Sequence, residues 1–123
     1  MNGVRATIGF VPGKVVADNH PPIVETRELA AGDDIYPEGE LIALDANGKA
    51  IQYDPTAVDP EGGTNPAKKV HGVLAKDADT SETSPDCVLL VHGTVKAEFL
   101  TVKGVAANAD AIAALKAISI FAI

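Results

Sequence analysis

From residue 36 onward the chain alternates short apolar runs with turn residues, a spacing that predicts strands more than helices. Residues 37–39 (Pro-Glu-Gly) read as a turn, and 40–44 (ELIAL) as a strand. Asn47-Gly48 then predicts a tight hairpin of type I′, whose two central residues need positive φ, with 50–53 returning. Residues 54–69 carry three prolines and two glycines without apolar periodicity, and read as a surface loop. A strand is expected at 70–75 and an acidic connector at 76–86. The continuous apolar run 87–91 predicts a strand buried on both faces. Gly93 sets it off from another strand at 94–102.

Near the C-terminal end, Asn108 is placed to cap a helix, with Asp110 in the first turn where a negative charge suits the dipole. Ala111, Ile112 and Leu115 make its apolar face, and alternation resumes at 118–121. Residues 1–35 follow a different pattern. Two β-prone pieces, 6–11 and 14–17, are broken by Pro12-Gly13 and by Pro21-Pro22. This predicts an extended N-terminal arm with few internal contacts, followed by a β-rich domain over 36–123. The expected fold is mostly β: a small barrel or sandwich with one short C-terminal helix.

The chain has 123 residues, enough for one domain, and only five aromatic side chains, so Val, Ile, Leu and Ala must build the core. A net charge of −7 argues against nucleic acid as a partner, because backbone affinity comes from clustered Lys and Arg. No apolar stretch approaches the ~20 residues of a membrane span, and no secretory signal is expected at the start. The single cysteine excludes an intrachain disulfide.

Candidate chemistry is sparse. His71 and His92 each stand in a Val-His-Gly frame, but no metal-ligand spacing joins them to each other or to Cys87. A Cys87/His92 nucleophile and base is a formal alternative, set against the position of Cys87 at the head of the most apolar run. Residues 77–81 begin like a calcium loop, yet Glu82 stands where its glycine is required and Val88 where its last ligand belongs. No catalytic residue, cofactor or metal site is expected.

The order of several weak motifs carries a resemblance. These are 39–45 (GELIALD), Asn47-Gly48, Tyr53-Asp54-Pro55, His71-Gly72-Val73-Leu74, the acidic connector, 88–95 (VLLVHGTV), and the Ala-rich helix before Ile120-Phe121. Together, over 32–123, they resemble the lambda-type head decoration family of tailed phages.

The resemblance implies a cement protein. It would be made in the bacterial cytoplasm, trimerise with itself, and dock on the major capsid protein outside the expanded shell, at local threefold positions. In such proteins the N-terminal arm contacts the coat. By position alone, since no motif matches there, that role falls to Arg5, Ile8, Phe10 and Val11. Ile118, Ile120 and Phe121 are the apolar candidates for trimer contacts. The alternative is a small β-barrel accessory binding module of a phage particle, serving in a tail or in surface ligand recognition.

Overall fold

The computed structural model describes residues 13–17, 22–30, 35–79 and 86–123. Among these residues it is mostly β, sandwich-like, with one short helix and no closed barrel. Among the described residues the strands follow the order β1 Ile23–Glu28, β2 Ile35–Tyr36, β3 Leu41–Leu44, β4 Ala50–Gln52, β5 Val70–Leu74, β6 Ala78–Asp79, β7 Asp86–Val95, β8 Thr101–Val102, β9 Val105–Ala106 and β10 Ile120–Ala122. The helix, α1, is Ala109–Lys116. The main sheet runs β1-β7-β5-β3-β4, and β10 adds to β7 in parallel. Its other pairs are antiparallel.

This sheet is strongly curled. Flat, it would hold β1 and β4 ~19 Å apart, four strand spacings of ~4.8 Å. Yet Leu29, just past β1, bridges to Ala50 of β4, and the Ala30 N–H donates to the Ala50 carbonyl at 3.0 Å. The curl stops at that single bridge, so the barrel half of the expectation gives way to an open sheet covered on both faces.

Alternation along the strands supplies two cores. Leu41, Ala43, Val73 and Leu90 face one side with Leu100, Leu115 and Ile120. Ile42, Leu74 and Leu89 face the other, with Leu29, Ala50, Ala78 and Cys87. Because every second side chain of a strand points to the opposite face, a sheet covered twice reads in sequence as an unbroken apolar run. The run at 87–91 is such a case.

Three expectations are corrected. The hairpin at Asn47-Gly48 is present, but its turn is not type I′. Gly48 has φ +81°, whereas Asn47 is not among the non-glycine residues with positive φ. The Gly48 N–H donates to the Asp45 carbonyl at 3.0 Å, and Asp45 N–H to Lys49 at 2.9 Å. This is a type I turn followed by a left-handed glycine, a three-residue loop. Nor does Gly93 end a strand: at φ +140° it lets β7 bend and run on to Val95. Beyond Val95 the expected strand at 94–102 breaks into a 3₁₀ turn, Ala97–Phe99, and the small β8–β9 hairpin.

The third correction concerns the arm. Residues 22–30 are not peripheral: β1 pairs along β7 from Asp86 to His92, and Val24 and Leu29 are buried. Val15, Val16 and Ala17 are buried as well. Proline spacing suggested detachment, but Pro22 stands just before β1, where a missing donor costs nothing. Residues 1–12, including the β-prone piece 6–11, lie outside the described residues.

Candidate functional site

β7 carries the surface where the two ends of the described chain meet. At its C-terminal end, Ala17 N–H donates to Thr94 at 2.9 Å and Lys96 N–H to Val15 at 2.8 Å. The intervening groups serve β10: Ile123 N–H donates to the Val95 carbonyl at 2.9 Å, and Ala97 N–H to Ile123 at 2.8 Å. Successive backbone groups of a strand point to opposite sides, so residues 15–17 and β10 flank the end of β7.

The entry of the chain at Gly13 is anchored by side chains. Glu38 accepts the Val15 N–H at 2.8 Å, and Asp77 accepts the Glu38 N–H at 2.7 Å. Lys14 Nζ stands 5.4 Å from the centre of the Phe99 ring, a cation–π contact. A Cβ on Gly13 would lie 2.5 Å from both Glu38 carboxylate oxygens, so glycine lets the backbone pass over that carboxylate. Gly13, Glu38, Ala75, Lys76 and Asp77 line a cleft of about 370 Å³ at this point.

On the other flank strand alternation separates the predicted contact residues. Ile120 is 0 % exposed and packs in the core, so its side chain presents no surface on the single copy. Phe121, one step along, is 40 % exposed, and Ile123 is 65 % exposed. Ile118 is partly buried against the main core, in the turn between α1 and β10. Arg5, Ile8, Phe10 and Val11 lie outside the described residues, as does the part of the acidic connector at 80–85.

The alternative chemistry does not assemble. Cys87 and His92 stand five residues apart on one strand, ~16 Å at ~3.3 Å per residue, too far for a nucleophile and its base to share a proton. Burial pushes the Cys87 thiol up to about 11, so it is protonated near neutral pH. His71 Nε2 instead lies 2.9 Å from Glu25, whose other oxygen accepts from Arg27 Nε at 2.6 Å. Burial alone would raise the Glu25 carboxyl; hydrogen bonds and charge from Arg27 and His71 outweigh it and hold the group below its ordinary value. Among the described residues, no three His, Cys, Asp or Glu side chains gather into a metal site. No described helix is long and apolar enough to cross a membrane.

One buried carboxyl group was not foreseen. Glu40 is 0 % exposed and accepts from Gln52 Nε2 at 2.7 Å, from the Thr101 hydroxyl, and from Gly104 N–H at 3.2 Å. It fastens the β8–β9 hairpin to β3 and β4. Only its place at the head of an apolar strand hinted at burial. No family model matches the chain, and no curated protein matches it in sequence.

Proposed function

We propose that this protein is a structural component of a tailed-phage virion. It binds the outside of the expanded capsid as homotrimers at local threefold positions and stabilises the head. Its partners are the major capsid protein and its own copies; neither nucleic acid nor membrane takes part, and no catalysis is involved. The residues preceding Gly13 supply the coat contact, with Arg5, Ile8, Phe10 and Val11 as candidates, and Phe121 and Ile118 remain candidates between copies.

The observation that carries the reading is the ordered set of motifs over 32–123. It is supported by where those motifs lie: one β-rich unit in which residues 13–17 anchor the N-terminal end at the surface. A cement needs a domain that folds without disulfides plus a segment able to pair with a neighbour's sheet edge. Many copies on one lattice turn a weak single contact into firm attachment.

The deciding measurement is the copy ratio of this chain to the major coat protein in gradient-purified virions. A ratio near one is expected for a cement occupying every coat position. Absence, or a handful of copies, overturns the reading in favour of an accessory binding module.

A further inference from the structure

We propose that Asn47 is a site of spontaneous deamidation, and that the reaction loosens the β3–β4 hairpin as the protein ages. The chemistry is intramolecular. The backbone nitrogen of the following residue attacks the asparagine Cγ, a new N–C bond closes a succinimide ring, and the Cγ–Nδ2 bond breaks to release ammonia. Water then opens the ring at either carbonyl, leaving aspartate or its β-linked isomer. The reaction needs an N–H on the next residue, little steric bulk there, and a carboxamide free to swing.

The three described asparagines differ in all of these respects. Asn65 precedes Pro66, which has no N–H, and its carboxamide donates to Val58 and accepts from Ala67. Asn108 precedes Ala109, and its side-chain oxygen is held by the Ala111 N–H at 3.0 Å as the cap of α1. Asn47 is exposed and precedes Gly48, which offers no Cβ to obstruct the ring. Its carboxamide has no partner among the described residues, while its backbone N–H is held by Asp45.

The turn also sets the pace. The attacking nitrogen of Gly48 donates to the Asp45 carbonyl at 3.0 Å, so attack waits on local opening of the loop and is slower than in the unfolded chain.

The product strains what the loop now satisfies. The β-linked isomer inserts one more backbone carbon into a three-residue loop closed by Asp45 and Lys49. It also shifts the Gly48 carbonyl, which accepts from Arg27 Nη1 at 3.2 Å and ties the hairpin tip to β1. Either product places a carboxylate two residues from Asp45.

The full-length protein is incubated in mildly alkaline buffer, native or in urea, and mapped with trypsin against a zero-time sample. The cleavage sites put Asn47, Asn65 and Asn108 on separate peptides: 28–49, 50–68 and 104–116. The expected result for the native protein is a gain of one mass unit in 28–49, more slowly than in urea, while the other two stay at their sequence masses. The aged protein melts lower, and in an Asn47→Ser variant peptide 28–49 stays at its sequence mass and the melting temperature is kept. Peptide 28–49 unchanged in the native protein while it converts in urea overturns the proposal, as does equal conversion of 104–116.

Discussion

A carboxylate with no access to water survives in this fold because three donors converge on it. Glu40 takes hydrogen bonds from Gln52, Thr101 and Gly104. Removing one side of a buried polar arrangement strands the other, and the desolvation cost of those donors is then uncompensated. Glu40→Ala is expected to cost about 3 kcal/mol, read as a lower urea midpoint at unchanged slope. Glu40→Gln keeps the shape but turns an NH₂ toward one of the donors, so it should fall between. Equal midpoints for wild type and Glu40→Ala would show that the network contributes nothing. The Glu25 carboxyl works in the other direction, through pH. Its folded value lies below the ordinary 4.5, so its contribution is full above 4.5 and lost as pH falls through the folded value. The melting difference between wild type and Glu25→Gln should therefore shrink as pH falls through that folded value. Both groups are polar residues in strand-like sequence, and nothing in their spacing names their partners. Glu25 meets His71 from 46 positions away, and Glu40 meets Thr101 from 61.

At the level of elements, local signals and tertiary packing can be told apart. Asn108 caps α1 through Ala111, and Ala111 and Leu115 are its buried face, as the 3.6-residue period requires. The hairpin was equally legible, but its turn was not, because Asn-Gly serves both the two-residue I′ loop and a three-residue loop with only the glycine left-handed. Gly48→Val tests the part that the two share. A β-branched side chain at φ +81° carries a penalty of about 1–2 kcal/mol, and its Cβ would meet Arg27 Nη1 at 3.3 Å. A melting temperature several degrees lower is expected, and an unchanged one would mean that the loop rearranges freely. Gly93 misled for the opposite reason. A glycine inside an apolar run marks a strand end or a bend with equal right, and the pairing of β10 and of residues 15–17 with the end of β7 shows that the strand continues.

The whole molecule corrects the division of the chain, and here the physical reason is long-range pairing. Nothing within residues 16–17 and 23–28 reveals that they complete a sheet, because their partners lie on β7 about 60 to 80 positions later. A half-apolar segment with prolines looks detachable until its hydrogen bonds are located. Those bonds now say where a cut is tolerated. Deleting residues 1–20 removes Val15, Val16 and Ala17 from the core, and with them the Val15–Lys96 and Ala17–Thr94 bonds. Large-to-small changes at single buried sites already cost ~2–5 kcal/mol, a sizeable part of the ~5–15 kcal/mol that holds a domain folded. The longer deletion should therefore lower the melting temperature sharply or leave the chain unfolded. Deleting only residues 1–12 keeps Gly13 over Glu38 and every described contact of 13–17 in place. That variant should melt close to the intact protein by circular dichroism, yet fail to sediment with expanded shells if those residues make the coat contact. Retained shell binding would move the contact onto the domain itself. A melting loss equal to that of the longer deletion would show that the first twelve residues belong to the fold.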